Sequence, residues 1–412
     1  MPSFHLARVV ALAAPAALLA ACLAPGSATE SLACATDTDC AKGLRCLTHY
    51  WICVDASIEA PDPGDPGSLQ PVPIAGDLLT TRGALPFGYV DAVYAPGFER
   101  IFLSYGAEGV VRVFDIASKK VTTLDLGHIP SRMTWDALHS RVLVALVVAG
   151  FSEPERDDTP HGFVVAIDPA ALTASERVWV PRTPARVLPS VDRAVVHVAS
   201  KMRDQADIVT LDLDSGDWLD GETVWDMELA FVPHTSGRRA YGAPVATWRD
   251  ELVRVDLSAE GVVGTSEREL PRDRSTCGDL RVSAEGSTLI ARCGDVLASG
   301  PAIETDMTWV ANLGASWIDL SFGTDGAFAY LLFDQFAGDE PDALRGSDGL
   351  GIVDMSLPRM TFSHTLHQPA RRLFARDDDL LVVLDQLTLP PSTEILSLPL
   401  DHLGASAPTS AR

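Results

Sequence analysis

Seven times between residues 89 and 386 the chain repeats one phrase: a short apolar run, a turn rich in Gly, Asp or Ser, and a second apolar run. YVDAVYAPGFERIFLSYG opens the series and RRLFARDDDLLVVLDQ ends it. Between them stand RMTWDALHSRVLVALVV, ARVLPSVDRAVVHVAS, LAFVPHTSGRRAYGAPV, DLRVSAEGSTLIARC and WIDLSFGTDGAFAYLLF. Five copies are followed by a third run ending in Asp115, Asp168, Asp212, Asp256 or Asp354, and then by a fourth such as KVTTLDL or MTWVANL. Four short β-rich segments per unit of 40 to 53 residues predict the blade of a β-propeller. One four-stranded blade cannot bury both its faces, whereas seven in a ring can, and closure removes the open edges that invite aggregation. The apolar runs last four to eight residues between turn signals, and long helical periods are absent. The expected fold is therefore all-β, a seven-bladed β-propeller over residues 72–403.

The ring must close on itself. The seventh copy supplies RRLFAR, LLVVLD and EILSLPL, then runs into DHLGASAPTSAR, which cannot form a fourth strand and leaves 404–412 as a disordered tail. The segment PVPIAGDLLTTRGALP, ahead of the first copy, is the candidate for the missing strand. It predicts that residues 72–81 pair beside residues 393–400. In pattern, rather than in any one motif, these blades resemble the YVTN-type and lactonase-like seven-bladed propellers.

The N-terminus reads as an address. Arg8 precedes the apolar run VVALAAPAALLAA, the layout of a secretory signal over residues 1–21. The run is too short for a permanent span of about 30 Å of hydrocarbon. Leu19-Ala20-Ala21-Cys22 resembles the bacterial lipobox. That resemblance implies a lipidated Cys22 as first residue of the mature chain, on a tether of residues 22–33. Leu23, where retained lipoproteins carry Asp, implies the outer membrane, with the protein facing the periplasm or the surface.

Without Cys22, six cysteines remain, an even number that suits disulfides in an exported protein. Cys34, Cys40, Cys46 and Cys53 fall in a module of residues 34–55 with few aliphatic side chains, which covalent links would have to order. It resembles Cys-rich modules found behind the anchor of some bacterial surface lipoproteins. Three connectivities exist, and 34–46 with 40–53 is the favoured one. A four-thiolate zinc site is the rival, but the spacings lack close C-x-x-C pairs. Residues 56–71, rich in Pro and Gly, form a linker. Further on, pairing Ser283 with Ser287 across Ala284-Glu285-Gly286 sets a hairpin register that brings Cys277 opposite Cys293, the most specific disulfide expected.

Two connections between second and third strands are long: AGFSEPERDDTPHG (149–162) and DQFAGDEPDALRGSDG (334–349). Propeller topology puts both on one face, around the mouth of the central channel. Their stretches 150–161 and 335–348 are the expected contact surface, because recognition favours long loops on a rigid scaffold. Glu153, Glu155, Asp157, Asp158, Asp334, Asp339, Glu340, Asp342 and Asp348 are the candidate ligand or Ca²⁺ contacts. Neither loop, however, has the D-x-[DN]-x-[DN]-G order of a calcium loop. No cofactor is otherwise expected.

The strand-end aspartates are read as turn caps. Trp135, Trp218, Trp225, Trp309 and Trp317 are read as blade packing rather than a sugar platform. His364 and His367 stand three apart in a strand, which places them on opposite faces and argues against a shared metal. There is no G-x-S-x-G, H-E-x-x-H, Walker loop or C-x-x-C-H, so catalysis is not the expected role. A net charge of −24 opposes nucleic acid and anionic lipid surfaces and favours cationic ligands. The resulting expectation is a monomeric envelope lipoprotein, held to the membrane by its lipid. Its propeller binds or scaffolds an envelope protein or surface ligand without catalysis. The alternative implied by the lactonase-like resemblance is a propeller hydrolase with a divalent metal at the central channel.

Overall fold

The computed structural model describes residues 44–47, 52–55, 72–73, 79–105, 109–148, 162–200, 205–225, 229–245, 251–271, 278–333, 347–356, 358–386 and 392–403. Contacts divide the chain into two units, Met1–Ala60 and Pro61–Arg412. In the first, Leu44–Leu47 pairs antiparallel with Ile52–Asp55, and Cys46 is the register partner of Cys53. Cys22, Cys34 and Cys40 lie outside the described residues.

The second unit is a seven-bladed propeller whose blades run A to D from the axis outward. Blade 1 comprises Asp91–Ala95, Arg100–Tyr105, Val110–Asp115 and Lys120–Asp125 in simple antiparallel order. Blade 2 comprises Ile129–Asp136, Arg141–Val147 and Gly162–Asp168, with an outer strand split into Thr173–Ala174 and Val178–Val180. Blades 3, 4 and 5 begin with Pro184–Pro189, Leu229–Pro233 and Leu280–Val282, and each is a four-stranded meander. Blade 6 begins with Asp319–Phe322 and ends in the 17-residue strand Arg359–Ala375, which continues without a break as the innermost strand of blade 7.

Burial explains the sequence pattern. Every residue of Val195–Ser200, the B strand of blade 3, is buried, whereas the D strand Lys120–Asp125 is almost wholly exposed. Along the B strand of blade 2, Val142, Val144 and Leu146 pack with Phe102, Val111 and Val113 of blade 1. The intervening Leu143 and Ala145 pack with Val196 and Val198 of blade 3. Side chains alternate faces along a strand, so a strand with a blade on either side is buried on both faces and mostly apolar, its few polar side chains such as His197 finding partners inside.

Closure follows the expectation with a shifted segment. Thr80–Leu85 is the fourth strand of blade 7, pairing antiparallel with Ser392–Pro399 from Ser397↔Thr80 to Thr393↔Leu85. Val72–Pro73, expected in the same strand, instead pairs in parallel with His364–Thr365 at the edge of blade 6. The reason is proline. Pro71 and Pro73 have no N–H to donate to a ladder, and the proline-free stretch 74–85 begins only after them.

The hairpin at Gly286 also differs by one step. Gly286 has φ +77°, as the turn requires. Gly286 donates its N–H to the Ser283 carbonyl, and the Thr288 N–H goes to Ser283 Oγ, so the loop holds four residues instead of three. The pairing becomes Leu280↔Ala291, one residue off the count that set Cys277 opposite Cys293. Cys293 is disulfide-bonded; Cys277 falls outside the described residues.

Candidate functional site: a charged ring in the central channel

The site is built by a single step of the innermost strand, repeated around the ring. Four residues before each turn from strand A to strand B stand Asp91, Arg132, Arg186, Ala230, Asp279, Asp319 and Arg372, in blades 1 to 7. Six of seven equivalent positions are ionic. Arg281, two residues beyond Asp279, joins them.

The pairs are specific. Arg372 Nη2 meets Asp91 Oδ1 at 2.8 Å, bridging blades 7 and 1. The other Asp91 oxygen accepts the Met133 N–H of blade 2 at 2.9 Å. The same arrangement recurs from blade 5 to blade 7: Arg281 Nη2 to Asp319 Oδ1 at 2.7 Å, and the Leu373 N–H to Asp319 Oδ2 at 2.8 Å. Arg132 of blade 2 reaches Asp279 of blade 5 at 3.6 Å. These blades are not neighbours, so the contact crosses the channel.

The electrostatics report convergence. Burial alone would raise the Asp279 carboxyl, but Arg132, Arg281, Arg186 and Arg372 together hold it well below the usual carboxylate range. Asp91 is likewise lowered against its burial, by Arg372 and Arg132. Burial would weaken the Arg372 guanidinium, yet Asp319 and Asp91 raise its affinity for the proton. Arg186 behaves differently. Burial and then the like charge of Arg132 pull it down to about 10. Its Nη1 donates to the Phe231 carbonyl at 2.8 Å, a neutral acceptor. Asp91, Asp279 and Asp319 thus face four guanidiniums, those of Arg132, Arg186, Arg281 and Arg372. Among the described residues the site carries an excess positive charge, in a chain of net charge −24.

This ring is what sequence reading missed. Each charge looked like an isolated interruption of an apolar run. Aligning the seven copies on their A–B turns would have put the six into one column.

The predicted contact residues fare unevenly. Glu153, Glu155, Asp157, Asp158, Asp334, Asp339, Glu340 and Asp342 lie outside the described residues, and Asp348 falls in the strand Ser347–Asp354. The strand ends that carry these loops are placed: Val147 pairs with Gly162, and Phe333 with Gly349. Both lie at the end of their blade where strand A begins, with Asp319 opposite Leu332 beside the second. Among the described residues no group of three or more His, Cys, Asp or Glu could hold a metal. The channel carboxylates are a poor match for a divalent cation, because guanidiniums crowd them.

The strand-end aspartates cap turns on the opposite face. Asp168 Oδ1 accepts the Ala170 and Ala171 N–H groups at 2.7 and 3.0 Å, and Asp212 Oδ1 those of Asp214 and Ser215 at 2.8 and 2.9 Å. Asp115 and Asp354 take the N–H of Ser118 and Ser356, whereas Asp256 is held by Arg254. Backbone donors lower the carboxyls of Asp115, Asp168 and Asp212. Of the tryptophans, Trp317 is fully buried and donates to the Ala291 carbonyl at 2.7 Å, while Trp218 is exposed.

Blades 4 and 5 are clasped by Asp306. Its buried carboxylate receives the Tyr241 hydroxyl at 3.0 Å, Arg254 Nη1 at 2.8 Å and the N–H groups of Gly300 and Met307, both at 3.0 Å. Every strong acceptor direction is used, which marks the cluster as architecture.

No family model matches the chain, and no curated protein does. Among solved structures, the β-propeller domain of Cps50 (Swd1) from Myceliophteria thermophila is similar, with a TM-score of 0.54 and 12% identity. The match covers 76% of this chain and 96% of that one. At such identity the likeness is one of fold alone, a β-propeller.

Proposed function

We propose that the protein is a lipid-anchored envelope protein whose propeller is a non-catalytic binding or scaffolding module. Its contact surface is the face at the channel mouth, with loops 150–161 and 335–348. The observation that carries the reading is the state of the channel carboxylates. Asp91 and Asp319 are each divided between an arginine and a backbone N–H, and Asp279 sits among four arginines. Among the described residues, no channel carboxylate is free to serve as a general base or to ligate a metal. The competing lactonase-like hydrolase needs both at this place. Support for the anchor is Leu19-Ala20-Ala21-Cys22 at the end of the apolar run.

Two experiments test the reading. Labelled fatty acid should enter the wild-type chain and not Cys22→Ser. Affinity capture from envelope extracts should lose its partners when residues 151–160 and 336–347 are deleted. An unchanged partner set would refute the contact surface, and metal-dependent ester or lactone hydrolysis by the purified protein would refute the non-catalytic role.

A further inference from the structure

We infer that the central channel is a binding site for a carboxylate ligand, received by the guanidiniums of Arg186 and Arg132. This deepens the binding-module reading by naming a ligand class, and it reverses the preference for cations drawn from net charge alone.

The argument is one of unequal partners. Arg372 and Arg281 are committed to Asp91 and Asp319 by contacts of 2.8 and 2.7 Å. Arg132 reaches Asp279 only at 3.6 Å, and its side chain keeps 45% of its surface open. Arg186 has the Phe231 carbonyl for one nitrogen, which supplies no negative charge. Arg132 and Arg281 both push against Arg186 electrostatically, and Asp279 and Asp91 only partly offset them. A half-buried guanidinium among like charges is costly unless an anion completes the set. The planar fork of arginine matches a carboxylate with two parallel N–H···O bonds. The single uncharged place in the ring column, Ala230, adjoins Phe231, to which Arg186 is bound. It leaves that side of the channel without the side chain that fills each other step.

A purely structural ring makes the opposite forecast. It has no use for a fourth arginine beyond its hydrogen bond to Phe231. Removing that arginine would then weaken the fold and leave anions without effect.

The test uses the mature chain with its disulfides intact. Thermal unfolding is followed in acetate, in citrate and with a short peptide whose one carboxylate is its C-terminus, each against chloride at equal ionic strength. Binding to the folded state raises the midpoint with ligand concentration. The expected result is a saturable rise of several degrees with at least one carboxylate. Arg186→Met should abolish the rise while keeping the ligand-free midpoint within about 2 °C of wild type or above it. A response to the free acids identifies a small-molecule site, and a response to the peptide alone identifies a chain terminus as the source. Three results would overturn the inference: no carboxylate-specific rise in the wild type, retention of the rise in Arg186→Met, or a fall of several degrees in that variant without ligand. Loop deletion leaves the channel intact, so failure here and failure of the contact face are separately visible.

Discussion

Arg372 and Asp91 meet at 2.8 Å across the seam between the last blade and the first. They are 281 positions apart in the chain, yet each occupies the same step of its own innermost strand. The pair fastens the ring on the inside, as the strand Thr80–Leu85 does on the outside.

Breaking that pair from one side should be costly. Arg372→Met leaves a mostly buried Asp91 carboxylate with the Met133 N–H as its remaining close donor. The expected loss is about 3 kcal/mol, the range for stripping one partner from a buried ion pair. Urea unfolding of Arg372→Met, Asp91→Asn and the double variant measures it, and the double variant should lose less than the two single losses added together.

Closure on the outside predicts a steric effect. A Cβ placed on Gly83 would lie 2.5 Å from Cζ of Phe114, which is almost fully buried in blade 1. Gly83→Ala should therefore destabilise by about 1–3 kcal/mol through overpacking. A shift in urea midpoint with unchanged slope is the expected signature.

Acid should weaken the fold in two separate windows. His197 is buried, with Nδ1 2.9 Å from Thr210 Oγ1, and burial lowers its pKa to about 4. The unfolded imidazole binds its proton near pH 6.5, so stability is complete above that and falls towards pH 4, by about 3 kcal/mol. The carboxyls of Asp91 and Asp279 are lowered, so their share is present above about pH 4 and lost only below it. His197→Gln should lessen the first slope, to which the lowered His234 also contributes, and leave the second. Unfolding free energies measured between pH 3 and 8 separate the two.

The Asp306 clasp should be indispensable. Asp306→Ala takes the shared carboxylate from the junction of blades 4 and 5, leaving Arg254 with Asp256 and the Tyr241 hydroxyl with Ser299 as remaining partners. A loss of about 3–5 kcal/mol is expected. Amide exchange should show the weakening first in those two blades.

The bond at Cys293 makes a chemical prediction. Peptide mapping without reductant should recover Cys293 joined to Cys277, and reduction should cost about 3 kcal/mol for a loop of this length. Any other partner for Cys293 would disprove the pairing.

The blades were legible because two-sided burial writes itself as apolar runs, as Val142–Val147 illustrates. The caps at Asp168 and Asp212 were legible because a short carboxylate after a strand has local N–H groups to accept. What escaped is what depends on the ring as a whole. Arg186 and Asp279 acquire meaning only when strands about 90 residues apart are set side by side around an axis. The closing strand begins at Thr80 rather than Val72, because Pro71 and Pro73 lack the N–H groups that a ladder needs. The one-residue slip at Ser283 turned on a hydroxyl that replaced a carbonyl as acceptor.

The closing strand also has a consequence for biosynthesis. Thr81 and its hydrogen-bond partner Glu394 are 313 residues apart. Translation delivers the first of them 313 residues before the second. Throughout that interval the nascent domain is an arc with one unpaired flank, and its slowest long-range contact forms last. A chain shortened by even the last two dozen residues should leave that arc permanently open.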